Sequence, residues 1–202
     1  MKLNSISVLL ILATFMLLLV ACDNSSSTTY VERGNGYFNQ GDYQKAIEQY
    51  DEAIRLNPQD AVAYHMRGIA YARLGQHEQA IEAFSEAIRF NPQDAMAYYG
   101  RGLAYGKLAQ YERAIQDFDE AIRLNPQYSE AYYNRGVAYD ALDQYERAIQ
   151  DYDEAIRLDP QYSEAYYNRG LAYEALGKTI EAERDFAKAK ELGYDPSVTP
   201  IP

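Results

Sequence analysis

The sequence has no tryptophan, one cysteine and two histidines among its 202 residues. Because Cys22 is the single cysteine, no disulfide bond can form within the chain. Neither histidine, His65 or His77, has a cysteine or carboxylate three or four residues further on, the spacing of an obvious metal site. We therefore expect neither a metal nor a cofactor.

Basic side chains are in the minority, with 19 lysines and arginines against 30 aspartates and glutamates and a net charge of −11. Binding to phosphate groups needs clustered lysine and arginine, and a polyanion is repelled by nucleic acid and by anionic headgroups. We therefore expect no nucleic-acid partner.

What the sequence does have is a 34-residue period that runs from about residue 27 to the C-terminus. A fixed period in this range is typical of stacked-repeat proteins, in which each unit buries its apolar face against its neighbours. The residues that recur at this interval include Asn57-Pro58, Asn91-Pro92, Asn125-Pro126 and Asp159-Pro160, and the glycines Gly34, Gly68, Gly102, Gly136 and Gly170.

Each repeat reads as two amphipathic helices. In the unit 61–94, apolar residues follow a helical spacing first from Tyr64 to Leu74 and again from Ala80 to Ile88. Gly75 separates the two stripes, and Pro92 follows the second, where a helix cannot continue. The pattern predicts a helix-turn-helix hairpin.

A glycine inside a helix costs ~1 kcal/mol relative to alanine, and every first helix contains one. Burial of a large side chain in the hollow beside the glycine contributes ~1.5–3 kcal/mol. We expect Phe84, Phe118 and Tyr152 to be such side chains, so that close approach of the paired helices offsets the cost.

The recurring large residue, glycine, tyrosine, alanine, aromatic residue, alanine and proline resemble the motif of the tetratricopeptide repeat family. The resemblance covers roughly residues 27 to 196 and implies an all-α solenoid of five helix-turn-helix repeats. Tyr64 and its equivalents stand where tryptophan is common, and Pro196 comes two residues late. The repeats are expected at about 27–60, 61–94, 95–128, 129–162 and 163–196, and a disordered tail at 197–202.

Charged side chains follow the same period. Arg33, Arg67, Arg101, Arg135 and Arg169 recur on the first helices, and Asp117, Asp151 and Asp185 recur on the second helices. We expect inter-helix ion pairs and solvated faces rather than a functional arginine ladder. An exposed pair of this kind contributes at most ~1 kcal/mol.

The period also argues against catalysis. The sequence has no glycine-rich phosphate-binding loop, and Ser85, Ser129 and Ser163 lie at repeat positions with helical or capping roles. Carboxylate pairs recur too, at 117–120 and 151–154. An active site is normally unique in a chain, so we expect that this protein is not an enzyme.

The N-terminus predicts a secretory signal. Lys2 precedes an apolar run from Val8 to Val20 that is broken only by Thr14, and such a run is marginal for a membrane span. Its end, Leu19 to Cys22, resembles the bacterial lipobox. That resemblance implies a signal peptide at 1–21, an acyl anchor on Cys22 and a place in the bacterial cell envelope, facing the periplasm or the exterior.

Two other interpretations of this segment stay open: an uncleaved membrane anchor, and a chance apolar leader with a spare thiol. Residues 22–29 are polar and are expected to form a flexible linker, with the repeat solenoid spanning 30–196.

The family resemblance also implies a groove lined by the first helices, which usually takes an extended or helical peptide. By position, the expected groove residues are Arg73, Tyr99, Lys107, Tyr133, Asn134, Tyr167 and Asn168. Aromatic rings offer stiff contact area, and asparagine amides can pair with a peptide backbone. Truncation of Tyr133 and Tyr167 is expected to weaken partner capture without unfolding the repeats. The alternative is that some of these tyrosines only seal the packing between repeats.

Acidic residues near the C-terminal end of the groove favour a ligand of basic or aromatic character; they are Glu130, Asp140, Glu164 and Glu174. The leading hypothesis is a membrane-anchored adaptor or scaffold that holds a partner protein in the cell envelope. The alternative is a structural protein that associates with itself as a homodimer or larger oligomer.

Overall fold

The computed structural model describes residues 27–196, and within that range the chain forms ten α-helices and no strand. Successive helices pair as five hairpins, so the predicted all-α fold of helix-turn-helix repeats is confirmed. The first helix, α1, covers residues 27–39. The others are α2 (Tyr43–Leu56), α3 (Ala61–Arg73), α4 (His77–Phe90), α5 (Ala95–Lys107), α6 (Tyr111–Leu124), α7 (Ser129–Asp140), α8 (Tyr145–Leu158), α9 (Ser163–Ala175) and α10 (Thr179–Glu191).

Polar residues at the predicted boundaries start and stop these helices. The Asp60 carboxylate accepts a hydrogen bond from the Ala63 backbone N–H at 3.1 Å and caps α3. At the other end of a hairpin, the Asn57 N–H donates to the Ala53 carbonyl at 2.8 Å. Pro58 follows directly, and its ring prevents a further turn.

The described chain falls into two compact units, which divide after Pro92. The first unit contains the hairpins α1–α2 and α3–α4, with α2 packed on α3. The second contains the three hairpins from α5 to α10; in it α6 packs on α7 and α8 on α9. The first helices α5, α7 and α9 are also neighbours. Within each unit the hairpins therefore stack side by side.

The glycine in each first helix lies directly against an aromatic ring of its partner helix. A Cβ atom on Gly102 would lie 2.7 Å from Cε1 of Phe118, and one on Gly136 would lie 2.7 Å from Cε1 of Tyr152. Both rings are buried, with at most 1% of their surface exposed. The predicted exchange of helix propensity for close packing is therefore confirmed.

Arginine and aspartate side chains form ion pairs both within and between the hairpins of the second unit. Arg135 on α7 donates twice to Asp151 on α8, at 2.8 and 2.6 Å, and also donates to Asp119 on α6. Arg169 repeats this arrangement with Asp185 and Asp153. The expected inter-helix ion pairs are present. The aspartates paired within a hairpin, Asp117, Asp151 and Asp185, are buried, whereas those paired between hairpins, Asp119 and Asp153, are exposed.

One boundary differs from the expectation. Residues 27–29, which were assigned to the flexible linker, belong to α1. Ser27 is buried, and its hydroxyl donates to the Asp60 carboxylate at 2.7 Å, which holds the start of α1 against the next hairpin. The predicted signal peptide, Cys22, the remainder of the linker and the tail at 197–202 lie outside the described residues.

Between residues 27 and 196, none of the helices has the length and apolar character needed to cross a membrane.

Two glycines of α5 provide a direct test of the packing argument. We expect Gly102→Ala to lower the free energy of unfolding by about 1–2 kcal/mol, because its Cβ overpacks against buried Phe118. Gly106→Ala should raise it by up to ~1 kcal/mol, since nothing lies within 4 Å of the added Cβ. Urea denaturation of the full-length protein in mild detergent measures both values. Equal effects from the two variants would contradict the close-approach explanation.

Candidate functional site

The candidate site is a groove on the second unit, made of two adjoining hollows between its first helices. The α5–α7 hollow has a volume of about 270 Å³, and the α7–α9 hollow has a volume of about 390 Å³. Val137 and Ala141 line both hollows, so the two form one strip, which we call the unit-2 groove.

The walls of the α5–α7 hollow are mainly apolar, with polar groups at a few points. Leu103 and Val137 face it from α5 and α7, and Phe118 contributes from α6. Lys107, at the end of α5, is exposed, and Asn134 on α7 adds an amide. An apolar hollow with a few fixed polar groups is the usual composition of a site that binds a peptide or small ligand.

Both predicted asparagines are partly engaged in the protein itself. The Asn134 side-chain amide donates to the Tyr99 hydroxyl at 3.0 Å and to the Glu130 carbonyl at 2.7 Å. Asn168 donates to the Tyr133 hydroxyl at 2.9 Å. Both N–H groups of Asn134 are used, so what it offers to a ligand is its carbonyl oxygen, an acceptor for a peptide N–H.

The predicted tyrosines pack between hairpins. The ring of Tyr99 lies 4.7 Å from that of Tyr128, and the ring of Tyr133 lies 4.7 Å from that of Tyr162, centroid to centroid. Tyr128 and Tyr162 each come directly before the next hairpin. The tyrosines therefore seal the contact between successive hairpins, which sequence reasoning had to leave open.

Tyr133 is the clearest departure from the expected groove. Its side chain is only 5% exposed, and burial raises the pKa of its hydroxyl. Truncation of Tyr133 would open a cavity in the core, so we expect it to cost stability in addition to any loss of partner contact. Tyr99 and Tyr167 keep partly exposed surface.

The structure thus brings three of the predicted residues to the unit-2 groove: Lys107, Asn134 and Asn168. Tyr99 and Tyr133 lie behind it as packing residues, and Tyr167 stacks on Tyr194 in the last hairpin, with ring centroids 4.5 Å apart. Arg73 is an exposed residue at the end of α3, in the first unit.

Asp140 is the residue that sequence reasoning undervalued, since it was named only as one of four acidic side chains. It lies at the end of α7 and lines the α7–α9 hollow. Its Oδ2 accepts a hydrogen bond from the Tyr152 hydroxyl at 2.6 Å, whereas its Oδ1 is buried and has no partner within residues 27–196. Burial raises the pKa of its carboxyl to about 6.

A signal for Asp140 was present in the repeat register. The equivalent positions one repeat earlier and later hold Gly106 and Glu174, and the position two repeats earlier holds Ala72. An aspartate at this position therefore occurs only in the fourth repeat. A negative charge at the C-terminal end of a helix is also unfavourable to the helix dipole.

No group of three or more histidine, cysteine or acidic side chains that could hold a metal ion occurs in the described part of the chain.

The ionised Asp140 carboxylate should cost stability at neutral pH. Its folded pKa lies above its unfolded value, so the cost is absent below about pH 3.8, grows as the pH rises and is complete above about pH 6. Because the carboxyl is partly exposed, solvent screening limits this cost to ~1 kcal/mol of the free energy of unfolding.

Asp140→Asn keeps the shape and an acceptor for Tyr152, and we expect it to raise the free energy of unfolding at pH 7.5 by ~1 kcal/mol. The gain should shrink as the pH falls to 4. Urea denaturation at the two pH values measures it, with Glu174→Gln as a control that removes a charge at the same repeat position from an exposed side chain. A loss of stability at pH 7.5 that exceeds the loss at pH 4 would contradict this, because it would show that ionised Asp140 stabilises the fold.

Comparisons with known proteins agree with this architecture. Two sequence profiles, both described as tetratricopeptide repeat, match the chain: one at residues 31–95 and 99–163, the other at 151–184. A search of curated protein sequences gave no match.

Several solved structures are similar to this chain. A crystal structure of MamA is 32% identical over 79% of this chain and 93% of that one, with a TM-score of 0.76. MamA from Desulfovibrio magneticus RS-1 is 26% identical over 83% of this chain and 94% of that one, with a TM-score of 0.78. YrrB, described as a TPR protein with an unusual peptide-binding site, shares the fold at 24% identity over 81% of this chain and 84% of that one, with a TM-score of 0.72.

The first profile matches more than half of the sequence in register with the hairpins. The chain belongs to the tetratricopeptide repeat family and has that family's type of protein-interaction scaffold.

Proposed function

We propose that this protein is an adaptor whose unit-2 groove binds an extended segment of a partner protein, and that an acyl anchor on Cys22 attaches it to a membrane of the bacterial cell envelope. The observation that carries the groove assignment is the pair of adjoining hollows that share Val137 and Ala141. An open strip of this kind suits a linear ligand better than a small substrate.

The spacing of the hollows supports an extended ligand. Packed helices lie about 8–10 Å apart, and the hollows follow one another at the spacing of neighbouring first helices. In a polyproline II conformation, residues three apart point the same way and lie about 9 Å apart. Two side chains of one extended segment, about three residues apart, can therefore occupy the two hollows.

The polar groups of the groove suit a peptide backbone. Asn134 presents a carbonyl oxygen to a peptide N–H, and Lys107 presents an ammonium group at the rim of the same hollow. Their aliphatic surroundings, Leu103 and Val137, supply apolar contact area. Apolar walls supply affinity and a few polar groups fix the orientation of a ligand, so this composition supports a binding function.

The groove can be tested by site-specific cross-linking in cells. A photo-reactive amino acid at Lys107, which is exposed at the groove rim, should cross-link to one short segment of one partner. Val137→Lys places a charge in both hollows and should reduce this cross-link at least tenfold. Val62→Lys, the same exchange at a valine that is 60% exposed on α3, should leave it unchanged. Equal cross-linking in both variants would refute the groove, and a cross-link to a second copy of this chain would favour self-association.

The anchor is tested separately. We expect Cys22→Ser to abolish incorporation of an acyl label and to release the protein from membranes, because each buried methylene of an acyl chain contributes ~0.8 kcal/mol to attachment. Ser25→Ala is the control, since it changes a neighbouring polar residue and leaves the thiol intact. Membrane retention of Cys22→Ser would favour an uncleaved apolar anchor instead.

A further inference from the structure

We propose that the α7–α9 hollow receives a cationic side chain of the bound partner, an arginine or a lysine, and that Asp140 is its counter-ion. This inference rests on the proposed peptide-binding function and specifies the chemistry of one of its two hollows. The cation would complete the hydrogen bonding of a carboxylate that the chain itself leaves half satisfied.

Asp140, which is partly exposed but has a buried Oδ1, differs from the three buried aspartates of the second unit. Asp117, Asp151 and Asp185 each accept two hydrogen bonds from an arginine of the same hairpin. Among residues 27–196, Asp140 has a single donor, the Tyr152 hydroxyl, and burial and that hydroxyl are the influences on its pKa. A carboxylate oxygen that is buried without a partner lowers the stability of the fold. We therefore infer that this site is completed by a cation from the bound partner.

The hollow has the composition that a long basic side chain needs. Val137 and Leu171 form aliphatic walls that can cover its methylene stem, and the ring of Tyr145 offers a face for the charged head. The amide of Asn168 lies in the same lining. The last torsion of an aspartate is broad, so a limited rotation of the Asp140 carboxylate can bring one of its oxygens toward an incoming cation.

The position of Asp140 also determines which ligand side chain enters which of the two hollows. The equivalent position in the α5–α7 hollow is Gly106, which carries no charge. The α5–α7 hollow therefore suits an apolar side chain and the α7–α9 hollow a basic one. Because the two hollows are about three extended residues apart, the recognised segment should carry an apolar and a basic residue at that separation.

Acidification should weaken this contact. The titratable groups around Asp140 are Tyr145 and Tyr152 on α8, Tyr133 on α7 and Asp143 in the turn between these helices. The tyrosines have raised pKa values and are neutral below pH 8, and α9 lines the hollow with uncharged residues. Asp140 is thus the group that changes charge near pH 6, and its protonation removes the counter-ion.

A positional peptide library tests the proposal. The probes are acetylated, amidated octapeptides with leucine at one fixed position and arginine, lysine, citrulline or glutamate three residues before or after it, the remaining positions being randomised. Binding to full-length protein in mild detergent is measured at 150 mM NaCl, so that long-range attraction to the acidic protein is screened. We expect arginine and lysine pools to bind about tenfold more tightly than the citrulline pool at pH 7.5.

Three comparisons isolate Asp140. Asp140→Asn should reduce the preference for basic pools to less than about twofold, whereas Glu174→Gln, the charge-matched change at an exposed residue, should keep most of it. A fall from pH 7.5 to 5 should lower the preference in the wild type and leave Asp140→Asn unaffected. Thermal melting of each variant confirms that it is folded.

The outcomes distinguish failure of the Asp140 proposal from failure of the groove proposal. Binding that depends on Val137 but shows no basic preference, or an equal loss in Asp140→Asn and Glu174→Gln, would overturn the role of Asp140 and leave the groove in place. Absence of peptide binding, or binding that Val137→Lys does not change, would refute the proposed function and this inference with it.

Discussion

The close approach of the two helices in each hairpin is the contact on which the remaining structure depends. Where a first helix has glycine, an aromatic ring of the second helix occupies the space of the missing Cβ, as Phe118 does at Gly102. The same ring meets a tyrosine of the first helix: Tyr99 lies 5.9 Å from Phe118, centroid to centroid, and that tyrosine stacks on Tyr128 before the next hairpin. This column of aromatic rings joins packing within a hairpin to stacking between hairpins, and its Phe118 also lines the α5–α7 hollow.

Ion pairs between helices restrict how the packed hairpins can lie relative to one another within the second unit. In the second unit Arg135 reaches a buried aspartate of its own hairpin and an exposed aspartate of the preceding one, so it fixes the relative position of three helices. Such pairs stabilise little in net terms against well-packed apolar residues, but the loss of one partner leaves a buried charge behind. We infer that they help to specify one stacking register, since Arg135 and Arg169 each pair with an aspartate of their own hairpin and an aspartate of the preceding one. In the described part of the chain no arginine pairs with Asp140, which separates it from the structural carboxylates.

The sequence predicted the hairpins and the glycine contacts because each follows from a local pattern repeated in register. It did not predict which tyrosines would be exposed, since Tyr133 occupies a helical stripe position that is compatible with either the groove or the interface between hairpins. The distinction depends on Tyr162, which packs over Tyr133 from the following hairpin. The partial satisfaction of Asp140 was equally out of reach, because it depends on where the Tyr152 hydroxyl lies.

Near-identical repeats impose a constraint on how such a scaffold can become specific. Positions that maintain stacking must recur, so a groove built from them presents the same surface at every step and gives a ligand no unique register. Specificity must then come from positions that break the period without disturbing the aromatic column or the arginine pairs. Asp140 meets this condition: it stands between Gly106 and Glu174 in the repeat register, and it lines a hollow while its Oδ2 accepts a hydrogen bond from the Tyr152 hydroxyl of α8. The same placement explains why Asp140 costs stability in the unbound protein. Its carboxylate lacks a cationic partner until the proposed ligand binds.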